Sequence, residues 1–256
     1  MLHIESIGAG PDLVLIHGWA MHAGIFAPLT PLLAAHFRVH LVDLPGHGFS
    51  RDDDGAVDAR VWAQRIAAEL PARSLWVGWS LGGLVALHAA LDHPQQVRGL
   101  IEIAESPRLL AGPDWPYGVA PEVLAEFGAG LQRDYRRAIE RFLALELIGS
   151  VHAQSTLRDL KARVFERGEP PMRVLVDGLS MLETSDLRAR LRELRMPSLW
   201  IAGRRDRLIA AAAMRWSAQH APTGEYLEID SGHAPFLSHP QEVADAIGAF
   251  ASKIAS

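Results

Sequence analysis

The chain has 256 residues, a net charge of −5, 49% hydrophobic and 21% charged residues, and no cysteine. That length supports one large domain, or one domain carrying an insertion, and the composition is that of a folded globular protein. The negative charge excludes a globally basic nucleic-acid binder, and the missing cysteine excludes disulfides, thiolate metal sites and cysteine nucleophiles.

The first residues, Met1-Leu2-His3-Ile4-Glu5-Ser6, lack the basic-then-apolar build of a secretion signal. No apolar run approaches the roughly 20 residues of a membrane span, so a cytoplasmic protein is expected. Short apolar runs at Leu13–Ile16, Val39–Val42, Ser74–Gly78 and Val97–Ile103 read as buried strands. Ala59–Leu70 and Leu81–Leu91 between them have helical spacing. Strands apolar on both faces and separated by helices predict a parallel sheet covered on both sides.

From about Gly112 to Ser185 the pattern is helical only, interrupted by prolines and glycines. The alternation resumes with a strand at Ser198–Ala202, a helix at Ala210–His220, a strand at Glu225–Ile229 and a closing helix at Val243–Ile254. The expected organisation is an α/β core formed by residues 1–111 and 186–256, with residues 112–185 inserted as a helical lid.

Gly78-Trp79-Ser80-Leu81-Gly82 matches G-x-S-x-G after a predicted strand and at the start of a predicted helix. In that context the serine sits on a tight turn that lifts its hydroxyl into the crevice at the strand's carboxyl end. The alternative reading is a glycine-rich turn with an idle serine. A serine hydroxyl needs a base, and twelve histidines compete for the role. His233 lies in a polar loop after the last strand, the placement such a base requires. His17 and His47 occupy loops near the site, His36, His40 and His88 sit in or beside elements, and His239 is placed to cap the last helix. A carboxylate between the two in sequence completes a triad, and Asp206, after the Ser198–Ala202 strand, is the candidate. Its alternative is a surface ion pair with Arg204, Arg205 or Arg207. The N–H groups of Leu81 and Trp19 are the expected oxyanion donors, since one follows the nucleophile and the other ends an early strand. The loop Asp43–Ser50 reads as scaffold. No metal-ligand spacing, phosphate loop or dinucleotide fingerprint is present, so no cofactor and no metal are expected.

Leu15-Ile16-His17-Gly18-Trp19, Asp43-Leu44-Pro45-Gly46-His47-Gly48, Gly78-Trp79-Ser80-Leu81-Gly82-Gly83, Gly203…Asp206 and Gly232-His233 together resemble the α/β-hydrolase superfamily across essentially the whole chain. With Glu140-Arg141-Phe142-Leu143-Ala144-Leu145, they are similar to those members that cleave the methyl ester of a pimeloyl chain on acyl-carrier protein in biotin synthesis. The resemblance implies an α/β-hydrolase fold with a mostly parallel sheet flanked by helices, and a serine carboxylesterase working through an acyl-enzyme. It also implies lid arginines that contact the carrier protein, matched by position at Arg137, Arg141 and Arg158. Gln154 stands where that group carries a further arginine.

Read from the residues alone, Arg133, Arg137 and Arg141 recur every four positions and are expected to form one stripe on a helix. Residues 132–167 hold eight basic groups against five acidic ones, a positive region on a negative protein. The other reading is a solvated face with pairs such as Arg136–Glu140. Phe127, Phe142, Leu143 and Leu147, with Trp19 and Trp79, are candidates to line an acyl channel or to be ordinary core. The substrate-binding set is thus Trp19, Trp79, Phe142, Arg137, Arg141 and Arg158, on an expected monomer. Two rivals stand beside the carrier-linked esterase. One is a general short-chain carboxylesterase or carbon–carbon bond hydrolase acting on a free small molecule; the other is a low-turnover binding protein on the same fold. Serine rather than aspartate at position 80 argues against a dehalogenase.

Overall fold

The computed structural model describes residues 1–146 and 164–255. Seven strands form one sheet: β1 (His3–Ile7), β2 (Asp12–Ile16), β3 (Arg38–Asp43), β4 (Ser74–Trp79), β5 (Val97–Ile103), β6 (Ser198–Gly203) and β7 (Gly224–Ile229). Their spatial order is β1-β3-β2-β4-β5-β6-β7, with only β1 antiparallel to its neighbour. From β2 the chain moves outward to β3, then returns to place β4 on the other side of β2. That reversal leaves a crevice at the carboxyl ends of β2 and β4, the position where open α/β sheets bind ligands.

Among the described residues the α-helices of five residues or more are α1 (Thr30–Ala34), α2 (Ala59–Glu69), α3 (Leu81–Asp92), α4 (Pro121–Arg133), α5 (Tyr135–Glu146), α6 (Met172–Thr184), α7 (Ala211–His220) and α8 (Pro240–Ala255). Asp58 starts α2 by accepting the Arg60 and Val61 N–H groups, as a good N-cap does. The first ten residues of α3 carry little but apolar and glycine side chains, and nearly all of the helix is buried against β2, β4 and β5. The strands and helices expected outside 112–185 all appear, with ends moved by a few residues at most. The edge strand β1 has no counterpart among the expected elements. It is five residues long, mixes polar with apolar positions and bonds to β3 alone, so its sequence carries little pattern.

Helices α4, α5 and α6 all fall between β5 and β6. The segment leaves and rejoins the core at one point, where the Leu187 N–H donates to the Pro107 carbonyl at 2.7 Å. Arg108 meets Asp114 and Asp186 there, and Arg188 meets the same two carboxylates. The expected arginine stripe is corrected: Arg133 ends α4, Asp134 breaks the helix with φ −154°, and Arg137 and Arg141 belong to α5. Asp134 Oδ1 accepts the Arg137 N–H, which favours a new helix start over continuation. Arg136 pairs with Glu169 at 2.5 Å and stacks over Phe165.

A second tie joins the segment to the loops after β2 and β3. Asp43 is fully buried and accepts the Ala23 and Phe49 N–H groups at 2.7 and 2.8 Å. Arg167 reaches the same carboxylate at 3.1 Å while its guanidinium covers the Phe49 ring. Burial by itself would raise the Asp43 carboxyl, yet the two N–H groups and Arg167 hold it below its ordinary value. Arg167→Met should therefore cost about 2 kcal/mol, because a buried carboxylate loses its charged partner but keeps two N–H donors. Urea unfolding measures this directly. A variant as stable as the wild type would show that the pair contributes nothing net.

Candidate active site

Ser80 joins β4 to α3 with φ 54° and ψ −122°, a left-handed backbone that few side-chain-bearing residues adopt. The Ser80 N–H donates to the Ile103 carbonyl at 3.0 Å, which ties the turn to β5. The turn closes only because its neighbours lack side chains. A Cβ at Gly78 would lie 2.4 Å from the Gly82 carbonyl oxygen, and one at Gly82 would lie 2.2 Å from the Ile16 carbonyl oxygen. The N-terminus of α3 thus sits directly against the end of β2, and the unbonded N–H groups of its first turn supply positive potential at the crevice.

His233 follows β7 and Asp206 follows β6, and both are buried. His233 Nδ1–H donates to Asp206 Oδ2 at 2.8 Å, while Asp206 Oδ1 accepts the Leu208 and Ile209 N–H groups at 2.8 and 3.0 Å. Both oxygens of the carboxylate are engaged, so the imidazole is held in one orientation. Arg204 and Arg205 both pair with Asp230 instead, at 2.7 and 2.6 Å. The two loops are stitched by N–H groups of Arg204 and Arg205 bonding to the carbonyls of Ile229 and Ser231. Trp79 donates its indole N–H to the His233 carbonyl at 2.9 Å, fixing the backbone under the imidazole.

Ser80 and His233 line one cavity with Trp19 and Phe127, and most of the remaining wall is leucine, valine and isoleucine. Trp19 bridges the loop after β2 and the helical segment: its indole N–H donates to the Leu175 carbonyl of α6 at 2.9 Å, and its ring meets Phe127 of α4 edge-on. Trp79, by contrast, packs behind the wall against His233 and Phe236. Leu143 is core. Arg137 and Arg141 are exposed on α5. Arg158, Gln154, Leu147 and the Phe142 side chain lie outside the described residues.

His17 has a more specific place than its sequence position conveyed. Its Nε2 accepts the Leu44 N–H at 2.9 Å, so the ring carries its proton on Nδ1, which donates to the Gly18 carbonyl at 2.8 Å. That carbonyl belongs to the same peptide as the Trp19 N–H, so the ring fixes the plane and direction of that amide. Burial, reinforced by His47, lowers His17 to about 3, and burial lowers His47 to about 4. Both rings are neutral near pH 7, and for His17 that suits a carbonyl acceptor on one side and an N–H donor on the other. Glu105, Leu208 and Ile209 also line the cavity without having been singled out in the sequence. Leu208 and Ile209 follow Asp206 directly, so the triad candidate was itself the signal that pointed to them; Glu105 had none.

A model of the alpha/beta hydrolase family matches residues 13–246. The chain is 54% identical over 254 residues to the pimeloyl-[acyl-carrier protein] methyl ester esterase of Xanthomonas campestris pv. campestris, covering 99% of this chain and all of that protein. It is 53% identical over 250 residues to the enzyme of that name from Stenotrophomonas maltophilia, covering 97% and 96%. Among solved structures, an esterase from Exiguobacterium antarcticum superposes with a TM-score of 0.87 at 19% identity, covering 100% of this chain and 96% of that one. A bromoperoxidase from Bacillus anthracis gives 0.88 at 20% identity over 98% and 95%, which shows a shared fold and nothing about the reaction. The chain belongs to the α/β-hydrolase family.

Proposed function

We propose that this protein is a cytoplasmic serine esterase that hydrolyses the methyl ester of a pimeloyl chain carried by acyl-carrier protein. The observation that carries the hydrolytic reading is the His233–Asp206 bond, 2.8 Å long and buried, beside a cavity that Ser80 also lines. The full-length identity to esterases of that name supports the substrate. In this reading His233 removes the Ser80 proton as Oγ attacks the ester carbonyl, and Asp206 stabilises the resulting imidazolium. The Leu81 and Trp19 N–H groups take the oxyanion, the second aimed by His17. Methanol leaves with the proton from His233, and water then cleaves the acyl-enzyme through the same groups. No cofactor enters these steps.

The apolar wall suits a methylene chain, and Trp19 and Phe127 are its aromatic part. Residues 112–185 act as the lid over a core of residues 1–111 and 186–256. Arg137, Arg141 and Arg158 present positive charge to an acidic carrier, which speeds encounter more than it deepens affinity. The enzyme works as a monomer.

Ser80→Ala should fold normally and lose at least roughly a thousandfold in kcat/KM, and Asp206→Asn should lose roughly 10⁴-fold through the wrong imidazole tautomer. Turnover near wild-type level in the alanine variant would overturn the nucleophile assignment. A separate comparison tests the carrier. Reversing Arg137, Arg141 and Arg158 to glutamate should lower kcat/KM about tenfold or more for carrier-bound pimeloyl methyl ester and leave a free methyl ester unaffected. Equal rates on both substrates would favour an esterase of free small molecules.

A further inference from the structure

Two carboxyl groups that the reaction above does not use are buried at the end of β5. Glu102 is the penultimate residue of that strand and Glu105 lies two residues beyond it, at 0% and 2% exposure. Both press on the first turn of α3: a Cβ at Gly83 would lie 2.3 Å from Glu102 Oε2 and 2.5 Å from Glu105 Cγ. Gly83 in turn donates its N–H to the Ser80 carbonyl at 2.8 Å. Glu105 lines the same cavity as Ser80 and His233. None of the four carboxyl oxygens has a hydrogen-bond partner among the described residues. Native proteins rarely leave buried polar atoms in that condition, and each such case calls for a reason.

We propose that Glu105, backed by Glu102, is a proton-dependent positioning group of the active site, neutral in the working enzyme and inhibitory once ionised. The inference rests on Ser80 being the nucleophile. A neutral carboxyl suits a wall that is mostly leucine, valine and isoleucine. An ionised one sets negative charge against the turn of α3 whose partial positive charge is aimed at the developing oxyanion, and so raises the barrier to acylation.

Among the described residues, neither the first turn of α3 nor the cavity lining supplies an arginine or lysine. The first turn of α3 holds no acidic side chain and, with Leu81, Gly82 and Gly83, no charged group at all. His233 lines the same cavity, and its Nδ1–H is committed to Asp206. On the glutamates' own loop, Arg108 turns away to Asp114 and Asp186. Burial pushes the Glu105 carboxyl up to about 8, and burial with the Glu105 charge holds Glu102 well above its ordinary value.

Below that value Glu105 is neutral, and as pH rises through it the group becomes negative, so kcat/KM should fall on the alkaline side. His233 acts in the opposite sense, since only a neutral imidazole can serve as base. A single group titrating near 8 predicts about a thirtyfold fall between about pH 7 and about pH 9.5, with the spontaneous rate subtracted. Glu105→Gln keeps the shape without the charge and should abolish that fall; Glu102→Gln/Glu105→Gln should abolish it as well. An alkaline decline that persists in both variants, with circular dichroism showing them folded, would overturn the proposal. Difference infrared spectroscopy of the wild type covers the case in which the variants do not fold. A carboxylic-acid carbonyl band that disappears with the midpoint of the rate supports the proposal, and absence of that band near neutral pH refutes it. Labelling with a fluorophosphonate probe separates the two levels. Loss of labelling in Ser80→Ala with an unshifted alkaline decline in Glu105→Gln would sink the proposal alone. A wild type that no pH allows to be labelled at Ser80 would remove the nucleophile and the proposal together.

Discussion

The close approach of the α3 N-terminus to the ends of β2 and β4 is the constraint on which the rest of the site depends. Ser80 is held at φ 54° there, and the surrounding backbone is so near that a single added carbon at Gly78 or Gly82 would overlap carbonyl oxygens. A left-handed serine is costly by itself and persists only where packing over-determines it. Here the over-determination comes from a buried apolar helix, α3, clamped on three strands. Core packing thus sets the position of one hydroxyl, and the loops after β2, β6 and β7 are arranged around it.

Those loops are held by hydrogen bonds rather than by their own propensities. Asp206 spends one oxygen on His233 and the other on two amides, while the nearby arginines satisfy Asp230. His17 joins the loop after β3 to the loop after β2 through one neutral ring, from the Leu44 N–H to the Gly18 carbonyl. Asp43 does the same with amides of two loops and adds Arg167. Each of these groups is buried, so each would be expensive if left without partners, and that expense is what makes the geometry unique.

Burial also decides charge state around the crevice. His17 and His47 are kept neutral, and Glu102 and Glu105 are driven toward the protonated acid. The cavity beneath Trp19 and Phe127 is consequently a low-charge environment in which the partial charges of α3 and of oriented amides act with little screening. Trp19 belongs to both halves of this arrangement, since its backbone follows β2 and its indole is anchored on α6.

What the sequence determined by itself was the alternation of strands and helices, the glycine-flanked turn at Ser80 and the loops that carry Asp206 and His233. These are local properties: continuous apolar runs mark strands covered on both faces, and glycines at fixed offsets mark a turn that only they permit. The edge strand β1 was illegible because a short half-polar segment acquires its conformation from pairing with β3. The break at Asp134 was illegible for a related reason: four-residue spacing of Arg133, Arg137 and Arg141 is equally compatible with one helix or two. Only the tertiary structure decided that Asp206 faces His233 rather than an arginine, that His17 aims the Gly18–Trp19 peptide, and that Glu102 and Glu105 meet at Gly83. Those outcomes depend on which distant segments share a buried space, and burial fixes both the partner and the protonation state of a polar group.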